Sequence, residues 1–121
     1  MKKNIFAVCD LEVDYAFNFM DYLNQKKNLP FEIQAFTTVE SLIAYGKNIH
    51  IELLLISQKA MCRQVQELEI GKIVILSEGV HPPDLDRYPS VYKYQASSDV
   101  VREVMACYGA EKAVAPAVFP V

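Results

Sequence analysis

Apolar positions along this chain fall into short unbroken runs, separated by stretches whose apolar residues recur at helical spacing. The clearest run is 51–57, Ile-Glu-Leu-Leu-Leu-Ile-Ser. It shows no alternation and stops abruptly at a small polar residue. A strand apolar on both faces belongs at the centre of a parallel sheet, where helices cover it above and below. Residues 4–9, Asn-Ile-Phe-Ala-Val-Cys, form a first run of the same kind. Asp10 follows as a candidate helix cap, with Glu12 and Asp14 placed to favour the positive end of a helix. Ala16, Phe19, Met20 and Leu23 give that helix its stripe to about Lys27, where Asn28-Leu29-Pro30 breaks it. Residues 31–36 alternate well enough for a second strand near a sheet edge. Thr37 and Glu40 resemble a capping box. The helix they open carries Val39, Leu42 and Ile43 inward and is expected to stop near Gly46.

After the central strand a weak helix is expected over 59–69, and Gly71 turns the chain into a run at 72–77 ending in Ser77. The next connection contains Pro82 and Pro83 and suits no long helix. Residues 90–94, Ser-Val-Tyr-Lys-Tyr, read as a fifth strand. Ser97 or Ser98 then caps a last helix with the stripe Val100, Val101, Val104, Met105 and Tyr108, ended by Gly109. Five β-α units in succession predict an α/β fold: a (βα)5 three-layer sandwich on a parallel five-stranded sheet with right-handed crossovers. For five strands the expected order is the flavodoxin-like 2-1-3-4-5. The expected organisation is one domain over 1–109, followed by a Pro/Ala-rich linker or tail over 110–121.

Composition narrows the partners. The formal net charge of -3 leaves no basic footprint, so nucleic acid is not expected as a partner. No apolar run approaches the roughly 20 residues that span a bilayer, and the start lacks a signal-peptide pattern, so a cytoplasmic protein without membrane insertion is expected. Cys9, Cys62 and Cys107 are odd in number and widely spaced, which speaks against a disulfide framework and a zinc site. His50 and His81 have no metal-ligand spacing.

In the 2-1-3-4-5 order the strand ends deliver Cys9, Asp10, Ser57, Ser77 and Lys93 to one crevice, the usual ligand position of open α/β sheets. This set resembles the receiver domain of two-component response regulators. In that family strand 1 ends in an acidic pair, strand 3 in the aspartate that accepts phosphate, strand 4 in Thr or Ser, and strand 5 in Lys. Ser77 and Lys93 match that pattern, and Asp10 matches the second acid. Cys9 replaces the first acid and Ser57 replaces the phosphoacceptor. A serine hydroxyl forms no acyl phosphate and is a weak nucleophile without a base. A thiol is a poor substitute for the hard oxygen ligands magnesium requires. The switch aromatic three residues before the lysine is Ser90 here, and the proline that commonly follows the lysine is Tyr94. These departures imply degenerate phosphorylation-site positions, with no catalytic residue, no metal and no cofactor.

Each position also has a plainer role: Asp10 as a cap that pairs with Lys93, and Ser57 and Ser77 as hydroxyls that satisfy backbone groups at strand ends. Tyr88, Tyr92 and Tyr94 fit either simple packing or an interface, since tyrosine is enriched in interface anchors.

Ser57 in place of Asp, the short span between the third and fifth strands and the Pro/Ala tail together resemble a narrower group. It comprises the N-terminal receiver-like domains of the TadZ/CpaE ATPases of Flp pilus assembly, in which a linker and a P-loop ATPase follow. The pattern Gly-x-x-x-x-Gly-Lys-Ser/Thr is absent from this chain, so the resemblance implies a non-catalytic interaction and localisation module. Its partners would be pilus-assembly components or a second copy, met through Tyr88, Tyr92, Tyr94 and Arg102. Recruitment through partners would take it to the cell pole or the inner face of the membrane. The rival readings are a response-regulator phospho-switch with unusual residues and a small-molecule binder. The acidic stretch after the first strand disfavours the binder, because it repels phosphate.

Overall fold

The computed structural model describes residues 3–26, 29–79, 85 and 87–112. Their elements run β1 (Asn4–Cys9), α1 (Val13–Asn24), β2 (Phe31–Phe36), α2 (Val39–Asn48), β3 (Ile51–Ser57), α3 (Arg63–Gln66), β4 (Ile70–Ser77), β5 (Ser90–Tyr92) and α4 (Ser97–Lys112). The five strands form one parallel sheet in the order β2-β1-β3-β4-β5, as the alternation of elements predicts. β3 is buried along nearly its whole length, which is why its sequence shows no polar face.

Each face of the sheet carries its own core. Phe6, Val8, Leu53 and Leu55 look towards α1 and α4, where they meet Phe19, Leu23, Val100 and Val104. Ala7, Cys9, Leu54 and Ile56 look towards α2 and α3, against Leu42 and Val65. Alternate residues of one strand thus serve opposite layers. Burying one such Leu or Phe side chain stabilises the fold by about 1.5–3 kcal/mol.

Several element ends differ from expectation, each for a local reason. Glu12, not Asp10, holds the N-cap position of α1, and its side chain makes no capping bond. The Asp10 carboxylate instead accepts the Glu12 backbone N–H at 2.8 Å, closing an Asx-type turn ahead of the helix. α1 ends at Asn24 rather than Lys27; residues 27 and 28 lie outside the described set. The cap of α2 is Thr38 rather than Thr37, its hydroxyl accepting the Ser41 N–H at 3.2 Å.

α2 runs through Gly46 to Asn48, because that glycine lies against Leu68 instead of terminating the helix. α3 is a single turn rather than 59–69. Residues 57–60 are held in a tight turn by the Ala60 N–H to Ser57 carbonyl bond at 2.9 Å, and β4 already begins at Ile70, so Gly71 lies inside that strand.

β5 stops at Tyr92, where the Gln95 side-chain amide donates to the Tyr92 carbonyl at 2.8 Å. α4 is preceded by Ala96, whose carbonyl accepts the Asp99 and Val100 N–H groups, so neither Ser97 nor Ser98 caps it. It continues through Gly109, whose φ is not positive and so does not terminate the helix. The Tyr108 ring packs edge-on against Phe31 with centroids 5.3 Å apart, and its hydroxyl donates to Glu52 at 3.0 Å. The Pro82-Pro83 connection, His81 and residues 113–121 lie outside the described residues.

Two glycines inside elements should respond oppositely to a methyl group. A Cβ on Gly71 would fall 2.5 Å from the Glu52 carbonyl oxygen, a backbone atom of the neighbouring strand. Gly71→Ala should therefore cost about 1–3 kcal/mol in urea unfolding. At Gly46 the nearest atom is the Leu68 Cδ1 at 2.8 Å, a movable side-chain end. The helix propensity gained there, about 1 kcal/mol, should leave Gly46→Ala near neutral. Equal losses at both sites would refute the contrast.

Candidate functional site

Register brings the polar strand ends together. Cys9 pairs level with Ile56, so Asp10 stands beside Ser57. Ser57 pairs with Leu76, one residue before Ser77, and Ser77 pairs with Tyr92, one residue before Lys93. Asp10, Ser57, Ser77 and Lys93 are the buried polar and charged residues of the described chain.

At the centre is the Lys93 ammonium, only 1% exposed. The Lys93 backbone is fixed by its N–H to the Ser77 carbonyl at 2.8 Å. The side chain lies over the ends of β3 and β4 and reaches the far side of the crevice. There Nζ donates to Asp10 Oδ1 at 3.2 Å, with Oδ2 at 3.0 Å, and pairs with the Glu12 carboxylate. Oδ2 belongs to the ion pair by distance, yet among the described residues it accepts no hydrogen bond of good direction. Glu78 stands further off at 3.8 Å and pairs with Lys59 at 3.2 Å. The rings of Tyr15 and Tyr94 flank the ammonium, with centroids 4.7 and 5.5 Å away. This is a cation held by carboxylates and by aromatic faces.

The two serines turn away from the centre. Ser57 Oγ accepts the Lys59 N–H at 3.2 Å, and Ser77 Oγ accepts the Gly79 N–H at 3.1 Å. Both hydroxyls thus satisfy their own outgoing turns. Cys9 is fully buried, and burial first, then the Asp10 charge and Cys62, push its thiol up to about 12. It is a neutral thiol at neutral pH, which is not the thiolate form that binds metals. Among the described residues no group of three or more His, Cys, Asp or Glu side chains is arranged to hold a metal ion.

Sequence reasoning found Asp10, Ser57, Ser77 and Lys93 but counted Asp10 as the last carboxylate of the crevice. Glu12 and Glu78 correct that. Glu12 looks like a residue for a helix end, and its side chain instead closes over Lys93. Tyr15 was also missed, although its place four residues before Phe19 puts it on the buried stripe of α1. Tyr92 and Tyr94 are exposed and pack edge-on with centroids 5.8 Å apart, whereas Tyr88 is half-buried against the α2 and α3 core. Arg102 is exposed and pairs with Asp99 of its own helix at 2.6 Å.

Burial alone pushes the Lys93 ammonium towards its neutral form. The hydrogen bonds from Glu12 and Asp10 and the charges of both outweigh it and raise the group to about 12. The Glu12 carboxyl is lowered, chiefly by its bond to Lys93. The Tyr15 hydroxyl is raised to about 12 by burial, then by the Asp10 charge.

No family model matches the sequence, and no curated protein matches it either. Solved structures do. The isolated receiver domain of RcsB from Salmonella enterica serovar Typhimurium, determined with phosphomimetic BeF3-, is similar at 15% identity with a TM-score of 0.65. The match covers 87% of this chain and 88% of that one. The receiver domain of Francisella response regulator 1452 is similar at 10% identity and a TM-score of 0.67, over 90% and 99% of the two chains. A CheY-like response regulator receiver domain protein from Methanospirillum hungatei is similar at 11% identity and 0.61, over 92% and 98%. The fold is that of response-regulator receiver domains.

Two predictions follow from the ion pair. Lys93→Met leaves Asp10 buried without its counter-charge and should destabilise the domain by about 3–5 kcal/mol; adding Asp10→Asn should recover part of that loss. An additive double variant would refute the coupling. For pH, Cys9, Tyr15 and Lys93 all titrate higher folded than unfolded. The stability they contribute is complete below their ordinary values, 9.0, 10.0 and 10.5, and is lost as pH rises towards about 12. Urea unfolding at stepped pH should show a decline beginning near pH 9, and Cys9→Ala should delay its onset. A flat profile up to pH 11 would contradict this.

Proposed function

We propose that this domain is a non-catalytic, receiver-like interaction and localisation module. The observation that carries the reading is the state of the crevice. The position matching the family's phosphoacceptor is a serine bonded to its own turn, and the lysine expected to meet a phosphoryl group is engaged by Asp10 and Glu12. The position matching the first acid is a buried neutral thiol. Ser77 and Lys93 do fit the pattern of working receivers, so the rival remains a phospho-switch with unusual residues.

The narrower reading, the N-terminal domain of a TadZ/CpaE-like pilus-assembly ATPase, rests on the sequence resemblance alone: Ser57 in place of Asp, the short span between the third and fifth strands and the Pro/Ala tail. That reading makes residues beyond α4 a linker. It makes the surface of β5 and α4 the working face, with Tyr88, Tyr92, Tyr94 and Arg102 meeting a second copy or a pilus component. Localisation at the pole or the inner face of the membrane is then a property of the partners. Reading the native transcript past Val121 into a P-loop would support the family, and a stop codon there would remove it.

Incubation with magnesium and acetyl phosphate should produce no phosphoryl mass gain on the intact protein. A stoichiometric gain that depends on magnesium would overturn the non-catalytic reading in favour of the phospho-switch. Replacing Tyr92 and Tyr94 together with Ala should weaken self-association or partner binding by light scattering, with circular dichroism unchanged; unchanged association would refute the face assigned here.

A further inference from the structure

Among the described residues six large apolar side chains are open to solvent, and five of them gather around one end of the molecule. Leu11 is 45% exposed, Val13 52%, Phe17 44%, Tyr92 47% and Tyr94 55%. The sixth, Ile49, sits just before β3 at the opposite end.

The five are linked through the crevice. Phe17 lies one helical turn after Val13 on the outer side of α1, and Leu11 and Val13 flank Glu12 in sequence. Glu12 pairs with Lys93, Lys93 lies against Tyr94, and Tyr94 packs on Tyr92. Leu11, Val13 and Phe17 follow the end of β1, and Tyr92 and Tyr94 lie at the end of β5, so the exposed apolar groups stand on both sides of the ion pair that joins those two connections. Exposed apolar groups gathered at one place, rimmed by polar groups, mark an interaction surface.

Charge selects the occupant. Two lysines, Lys59 and Lys93, stand against four acids, Asp10, Glu12, Glu78 and Asp14, so two negative charges are in excess there. Of the two occupants named above for Tyr92 and Tyr94, a second copy would bring the same acids, and like charges across an interface suppress pairing, which favours a different protein. Anionic membranes and nucleic acid are repelled for the same reason. A basic partner gains on both counts. Its apolar side chains cover Phe17, Val13 and the tyrosines, its Lys or Arg side chains meet Glu12 and Asp14, and a guanidinium stacks on the open face of Tyr94.

We infer that the crevice rim formed by Leu11, Val13, Phe17, Tyr92 and Tyr94 is a docking surface for a basic amphipathic helix of another protein, laid apolar side down. The inference rests on the reading of this domain as a binding module and names the chemistry of its partner.

The probes are two synthetic helical peptides of identical pattern, one of leucine and lysine, the other of leucine and glutamate. The lysine peptide should bind and shift the amide resonances of the five rim residues, while the glutamate peptide should not. Phe17→Ser should weaken the lysine peptide about tenfold or more, and Val13→Ser provides a second variant should the first fail to fold. Equal binding of both peptides, shifts scattered away from the rim, or no effect of either variant would overturn the inference. So would a sedimenting dimer that Phe17→Ser dissociates, since the occupant would then be a second copy. Peptide binding together with phosphoryl uptake would leave this surface standing and remove the non-catalytic reading.

Discussion

A lysine ammonium shut away from water has to be surrounded by charge, and Lys93 constrains the top of this molecule accordingly. Desolvating an ion costs several kcal/mol, recovered only when geometry and further hydrogen bonds are good. The chain meets that requirement with side chains from opposite ends of its sequence: Asp10 and Glu12 beside β1, Tyr15 on α1, and Tyr94 just past Lys93. The pair joins the last strand of the sheet to the first across the two strands between them. Small residues at 57 and 77, with their hydroxyls folded back on their own turns, keep the path of the lysine side chain open.

On the reading proposed above, the same arrangement would let the receiver fold stand without receiver chemistry. The fold follows from two apolar layers and a register that any well-patterned (βα)5 chain can satisfy, and it carries no obligation to a reaction. The chemistry needs open carboxylates for a hard cation, an acceptor carboxylate on β3 and a lysine able to move towards a phosphoryl group. In this chain Asp10 and Glu12 pair with Lys93, and the residue at the end of β3 is Ser57. The Lys93–Asp10 pair bridges the ends of β5 and β1.

The sheet was legible in the sequence because unbroken runs such as 51–57 admit few readings, and the looser alternation of 31–36 marked it as a strand near an edge. Lys93 and Asp10 were legible as partners because topology puts their strand ends together. The closure by Glu12 was not, because a carboxylate at the start of a helix looks fully explained by the helix dipole. The ends of α2 and α4 were misplaced because Gly46 and Gly109 look like terminators. A glycine ends a helix by taking a left-handed backbone turn, and among the described glycines Gly79 alone has a positive φ, so Gly46 and Gly109 stay within their helices. α3 shrank for a different reason, with β4 claiming residues up to Ile70.

The exposed apolar groups beside the crevice become intelligible once the ion pair between them is seen as fixed. In a site that must admit and release a small anion, apolar bulk at the rim obstructs entry and acidic residues repel the ligand. Tyr94 lies against the Lys93 ammonium, and Glu12 and Asp14 add negative charge beside it. Those same features are favourable when the visitor is a surface rather than an anion. Apolar rims then supply contact area, and the excess of acids over lysines supplies orientation and a faster encounter with a basic partner. The ion pair contributes the remaining ingredient. By tying the β1–α1 and β5–α4 connections together it holds both halves of the rim at a fixed separation, so that binding pays less ordering entropy than it would on two free loops.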